Sequence, residues 1–257
     1  MQQEKARIAR GAEIVARAVT GGGRVIFVGA GTSGRLGVLE AAELPPTFGI
    51  EPDIAQAVMA GGPAAVHRAK EGVEDDHAEG ERVMRTLRPG RKDVVIGISA
   101  SGMTPFVRGA VARARKGRAR VIGVTCDPKS ELTDLADVAI VLRVGPEVIA
   151  GSTRLKAGTA TKVVLNMLTT TAMVRVGKTY GNLMVDVKST SDKLRDRARR
   201  IVANVTGLDY DAAGPLLQRA GWNVKAAIVM HELDTTRAEA LSRLRVEPRL
   251  RKLLGGR

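Results

Sequence analysis

Aromatic side chains are nearly missing from this sequence. Its 257 residues include one Trp, two Tyr and three Phe. Proteins that hold single-stranded nucleic acid usually stack bases on aromatic rings, and no such platform is available here. The formal charge of +14, from 41 basic and 27 acidic residues, would otherwise suit a polyanion. The basic residues are dispersed, however, through Arg82, Arg85, Arg88 and Arg91, then Arg113 to Arg120, then Arg195 to Arg200. They read as solvated helix faces, so no nucleic-acid partner is expected. Their summed field still favours encounter with a phosphorylated small molecule.

Cysteine is the second scarcity. Cys126 stands alone, which excludes an internal disulfide framework and fits a reducing, cytoplasmic setting. At the end of an apolar run it reads as a packed, inert thiol. His67, His77 and His231 have no metal-ligand spacing. No apolar run reaches the ~18 residues of a membrane span, so no membrane partner is expected. The first residues read as an amphipathic helix and not as a signal peptide.

What is present is an alternation of short apolar runs with helical patterns. Val25 to Val28, Ile54 to Met59, Asp93 to Ile98, Val121 to Thr125 and Asp137 to Leu142 read as strands. Helices are expected over residues 3–19, from Gly34 to just before Pro45-Pro46, from Gly61-Gly62-Pro63 through Lys70, over Arg82 to Leu87 and over Phe106 to Arg115. A long one follows over Thr153 to Val176, with Val163, Val164, Met167, Leu168 and Met173 as its apolar face. This order predicts an α/β fold with a doubly wound, mainly parallel sheet. After Gly207 the texture shifts to short apolar segments. A domain is therefore expected over 1–206 and a small helical bundle over 207–257.

Two loops at predicted strand ends carry chemistry. Gly29-Ala-Gly-Thr-Ser-Gly34 joins a strand to a helix and offers backbone N–H groups at a helix N-terminus. Ser99-Ala-Ser-Gly-Met-Thr104 follows another strand and adds three hydroxyls. The first loop also satisfies the G-x-G-x-x-G pattern of dinucleotide sites. The acidic residue such a site wants after the second strand is missing, since Glu51 and Asp53 precede that strand. Paired hydroxyl loops suit a phosphomonoester better than a pyrophosphate, but the dinucleotide reading stays open. Glu40 and Glu43 lie one turn apart, with Glu40 read as the exposed neighbour. Glu71, Glu74, Asp75 and Asp76 form an acidic connector. A carboxyl pair in a water-poor pocket would serve as acid and base.

Further motifs make the chain resemble a known family. Gly145-Pro-Glu-Val-Ile-Ala-Gly-Ser-Thr-Arg-Leu-Lys-Ala-Gly-Thr-Ala-Thr-Lys162 matches the signature of the N-acetylmuramic acid 6-phosphate etherases, of the sugar-isomerase (SIS) fold and related to the glucokinase regulatory protein. Gly29 to Arg35, Glu43-Leu-Pro-Pro46, Glu71-Gly-Val-Glu-Asp75 and Gly181-Asn-Leu-Met-Val-Asp186 fit the same pattern. The resemblance covers residues from about 20 to about 240, and the tail resembles a ubiquitin-associated-like bundle. It implies a flavodoxin-like sheet, a homodimer, a cytoplasmic sugar-phosphate substrate and no cofactor. It also implies a longer segment ahead of the first strand, where this sequence has one helix. The implied reaction removes the D-lactyl ether of N-acetylmuramic acid 6-phosphate by elimination and hydration, giving N-acetylglucosamine 6-phosphate and D-lactate. The implied catalytic pair is Glu43, as acid, and Glu74, as base at C2. Implied substrate ligands are Gly31, Thr32, Ser33, Gly34, Ser99, Ser101, Gly102, Thr104 and Lys156. The alternative implied by regulatory relatives is a non-catalytic sugar-phosphate-binding protein.

Overall fold

Five short, mainly apolar runs form one parallel sheet, two of them, Val25–Gly29 and Val94–Ile98, buried along their whole length. The computed structural model describes residues 2–255. The strands are β1 (Val25–Gly29), β2 (Ala55–Met59), β3 (Val94–Ile98), β4 (Arg120–Thr125) and β5 (Val138–Val141). Their order is β2-β1-β3-β4-β5, all pairs parallel. The direction of winding therefore reverses between β1 and β3. Ligands of such sheets sit beyond the strand ends at that reversal.

Helices accompany the strands in chain order. They are α1 (Lys5–Thr20), α2 (Gly31–Phe48), α3 (Ala64–His67), α4 (His77–Leu87), α5 (Pro105–Lys116), α6 (Glu131–Leu135) and α7 (Lys156–Arg175). After α7 come α8 (Asp192–Thr206), α9 (Tyr210–Arg219), α10 (Val224–Glu232), α11 (Arg237–Val246) and α12 (Leu250–Leu253). By contacts the chain divides into two compact units: Met1–Glu43 with Glu51–Ala172, and Leu44–Ile50 with Met173–Arg257.

The first unit contains the sheet with helices on both faces. On one face, Gly11 of α1 lies against Leu168 of α7, Ile122 and Ile140, and Gly37 of α2 lies against Phe27 and Ile98. On the other, Val107 and Val111 of α5 and Leu132 of α6 pack over Gly97, and Leu132 also packs over Gly123. The expected apolar face of α7 splits: Val164, Leu168 and Met173 are buried, while Val163 and Met167 are exposed. The fold is α/β and doubly wound.

Two helix ends differ from expectation. Pro45 and Pro46 lie inside α2 and not beyond it. A proline removes its own N–H and crowds the carbonyl four residues back, so a helix that admits it ends soon after, here at Phe48. The helix then closes with Gly49 N–H donating to Pro45 O (2.9 Å), with Gly49 at φ +62. Helix α3 spans only four residues and stops at His67, short of Lys70.

The second unit packs Ile201 and Val202 of α8 with Leu216 and Leu217 of α9 and Ala226–Val229 of α10. Ala240 of α11 and Leu250 of α12 complete the core. Side-chain caps start four of its helices: Ser191 for α8, Asp209 for α9, Asn223 for α10 and Thr236, in a capping box with Glu239, for α11. Because α8 shares this core, the expected boundary at 206/207 falls inside the second unit. The ends of the expected regions, Met1, Gly256 and Arg257, lie outside the described residues. Asp186 anchors the segment ahead of α8, taking Lys225 Nζ at 2.5 Å and Lys178 Nζ at 3.5 Å.

At the amino ends of β1 and β3, Asp93 is 8% exposed and accepts from Arg24 N (2.7 Å), Arg24 Nη2 (2.8 Å) and Gly90 N (2.8 Å). Burial pushes its carboxyl up, but these donors outweigh burial and hold it below the ordinary range. A carboxyl lowered on folding stabilises above its unfolded value of about 3.9. That contribution is lost as pH falls through the lowered folded value. Asp93→Asn should cost about 1–3 kcal/mol at neutral pH. Denaturant titrations should show a constant wild-type advantage above about pH 5 that shrinks below about pH 4. An advantage that persists undiminished into strong acid would mean that another interaction is responsible.

Candidate active site

β1 and α2 meet without room for a side chain. A Cβ on Gly29 would lie 2.6 Å from Gly34 N, and one on Gly34 would lie 2.8 Å from Gly29 O. Both close contacts are to backbone, so the turn forms only with glycine. Gly31 begins α2 at φ +54. Gly34 N–H donates to Ala30 O at 3.1 Å. The amides of Gly31, Thr32 and Ser33 precede the first intrahelical bond and carry the positive end of the helix dipole.

The second loop lies beside the first because of register. Gly29 pairs with Ile98, so Ala30 and Ser99 leave the sheet as neighbours. Ser99 is buried, with its Oγ 2.8 Å from Thr104 Oγ1 and 3.4 Å from Ser101 Oγ. Gly102 N–H donates to Ser99 Oγ (3.0 Å) and Ser99 O (3.0 Å). Gly102 sits at φ +66, where a Cβ would lie 2.1 Å from Ser130 Oγ.

Both loops line one cleft of about 320 Å³. Gly31, Thr32, Ser33, Ser99, Ser101 and Thr104 contribute to its wall, and so does Glu74. Glu74 is half-buried on a single turn, Val73–Asp75, that Gly72 enters at φ +76. A larger cleft, about 410 Å³, is lined by Arg10, Arg17, Arg91 and Arg120 among others. It lies by the amino ends of β3 and β4, contains none of the expected site residues, and is not the site that the loops form.

Four expected residues are not in the wall. The amides of Gly34 and Gly102 already have acceptors, so as binding groups they are spent on the loops themselves. Lys156 is exposed at the start of α7. Glu43 is exposed on α2, whereas Glu40, expected to be the exposed one, is 6% exposed. Glu40 accepts from Thr169 Oγ1 and lies 3.6 Å from Lys162 Nζ, both on α7. The face that α7 covers thus determines which of the two carboxyls is buried.

Other residues at the cleft were not among the expected ligands, although all but Lys70 lie within the family motifs. Arg35 and Lys70 bring positive charge, and Glu71 and Thr153 complete the wall. Glu147, inside the signature loop, accepts from Lys156 N and Ala157 N at 2.9 Å each. Its carboxyl is held below the ordinary range, mainly by the Ala157 N–H, against a small opposing effect of burial. It caps the N-terminus of α7, whose Gly158 faces Thr32. The Cys126 thiol is pushed up by burial and by the Glu147 carboxylate, the opposite of an activated nucleophile. Among the described residues, no group of three or more His, Cys, Asp or Glu is arranged to hold a metal ion.

A doubly wound sheet with two hydroxyl loops at its winding reversal is the arrangement of an SIS domain. Residues 7–115 match the glucokinase regulatory protein N-terminal SIS domain, and residues 71–171 match the SIS domain. The fold is also shared with phosphoheptose isomerase GmhA from Neisseria gonorrhoeae, at TM-score 0.51 and 18% identity over 66% of this chain and 86% of that one. Closer relatives are N-acetylmuramic acid 6-phosphate etherases. That of Symbiobacterium thermophilum is 52% identical over 89% of this chain and 76% of its own length. Those of Gloeobacter violaceus and Deinococcus radiodurans are 54% and 51% identical, each over 87% of this chain and 73% of their own. The chain belongs to the N-acetylmuramic acid 6-phosphate etherase family, a family of enzymes.

The second loop offers a direct check of the cleft. Gly102→Ala forces a side chain into positive φ against Ser130 and should cost about 2 kcal/mol or more. Denaturant titration of the variant against wild type measures this cost. A variant as stable as wild type would mean that the loop does not hold Gly102 at positive φ against Ser130.

Proposed function

We propose that the cleft binds N-acetylmuramic acid 6-phosphate and that the enzyme splits its lactyl ether. One observation carries this reading: Glu74 shares a cleft with both hydroxyl loops. The phosphate lies against Thr32, Ser33, Ser99, Ser101 and Thr104 and against the first amides of α2, beginning at Gly31. The open-chain aldehyde of the sugar acidifies C2–H, and Glu74 removes that proton. The C3–O bond breaks, and lactate leaves with a proton from Glu43. Water then adds across the C2–C3 double bond, placing OH on C3 and H on C2. Substrate and water thus give N-acetylglucosamine 6-phosphate and D-lactate. Lys156, at the start of α7, is proposed to reach the substrate from outside the cleft wall.

The reading asks Glu43 to serve as an acid in a water-poor pocket. Leu39, one turn before it, is 42% exposed, and Val163 and Met167 of α7 are 39% and 36% exposed. We propose that a second copy covers these apolar side chains and Glu43 with them, making the enzyme a homodimer. The setting proposed is the cytoplasm; no helix among the described residues is long and apolar enough to cross a membrane. The residue range 207–257 is proposed as the ubiquitin-associated-like part of the second unit.

D-lactate release from the 6-phosphorylated sugar, followed with a coupled dehydrogenase, tests the reaction. Glu74→Gln should reduce both release and C2 exchange in deuterated water by about 10²–10⁴-fold. Glu43→Ala should abolish release and leave C2 exchange. Tight sugar-phosphate binding by the intact dimer with no lactate released would refute the assignment.

A further inference from the structure

We infer that Arg35 is a positioning residue that fixes the distance between the first hydroxyl loop and Glu74. The inference rests on the proposed role of Glu74 as base. Arg35 follows Thr32 and Ser33 within the first turns of α2 and lines the cleft. Its Nε donates to Val66 O at 2.8 Å and its Nη2 to Ala65 O at 2.7 Å. Both carbonyls belong to α3, a four-residue helix with no internal partner for its last carbonyls. A guanidinium fork meets two such carbonyls at once, and its charge suits a helix C-terminus. A lysine has one nitrogen to offer and would hold one carbonyl well.

The chain from Arg68 to Asp75 therefore hangs from Arg35 at one end. At its far end Val73 packs, half-buried, against the core under Ile26 and Val28. Between them Lys70 Nζ donates to Gly61 O at 3.2 Å. Of these ties, only the Arg35 fork starts from the element that carries Thr32 and Ser33. Loss of the fork leaves the hydroxyl loops intact and lets Glu74 drift from them. Misplacement of a catalytic group by 1 Å costs about 10²-fold in rate.

The experiment compares wild type with Arg35→Met and Arg35→Lys in the full chain. In Arg35→Met, kcat for lactate release and the rate of C2 exchange should both fall about 100-fold, with KM and affinity for N-acetylglucosamine 6-phosphate within about twofold. Backbone amides 67–75 should exchange faster with deuterium, and methylguanidinium should restore part of the rate. Arg35→Lys, which keeps charge and stem, should show the same pattern at smaller size and stands in if Arg35→Met does not fold. Weakened phosphate affinity with unchanged kcat would make Arg35 a substrate ligand and overturn the inference. Unaltered exchange at 67–75 would also overturn it. A wild type that binds the sugar phosphate but releases no lactate would instead refute the proposed reaction, and the amide exchange would still decide on Arg35.

Discussion

The contact between Gly29 and Gly34 is the constraint on which the site depends. A strand end and a helix start touch backbone to backbone, with no Cβ tolerated on either. This contact sets α2 directly over the end of β1, with its free amides toward the space that β3 also faces. An α-helix rises 1.5 Å per residue with little give. Fixing its first turn therefore fixes Arg35 over the α3 carbonyls and Glu40 against α7. The hydroxyl loop after β3 needs no comparable device, since parallel register already puts Ser99 beside Ala30.

Sequence made the sheet and both loops legible because their signals are local. Apolar runs of β-branched residues, broken by Gly, Ser and Thr, specify a buried strand and its exit without reference to anything distant. The loops became a site only through strand order, which the alternating pattern implied and the family motifs named. Glu74 was singled out only by the family motif, and residue pattern gave no more than an acidic connector. Glu40 and Glu43 were not separable, because they stand three residues apart on one helix and only the packing of α7 decides which is buried. Arg35 was visible as part of a motif, but its partners are main-chain carbonyls of Ala65 and Val66, which no residue pattern marks. Glu147 hid likewise, since its carboxylate accepts from main-chain amides of α7. The end of α2 lies past the expected one because the helix runs through Pro45 and Pro46 before closing at Phe48.

The distribution of charge in the cleft has a chemical consequence. On the proposed mechanism phosphate recognition falls to hydroxyls and amides, while the two cations in the wall, Arg35 and Lys70, donate to main-chain carbonyls. Among the described residues, neither forms an ion pair with Glu74. On the proposed mechanism, cations used as structural ties still contribute positive potential to an incoming phosphate.

On the proposed mechanism Glu43 poses the complementary problem, that of an acid and not of a base. Such an acid works where water is scarce, and the side chain stands exposed on α2. The same unit also exposes apolar side chains, Leu39 one turn away on α2 and Val163 and Met167 on α7. Burial of those side chains favours association by about 25 cal/mol per Å². The same burial removes water from Glu43. Association and acidity would then have one cause, and the subunit alone would hold a phosphate and a base without the acid needed to release lactate.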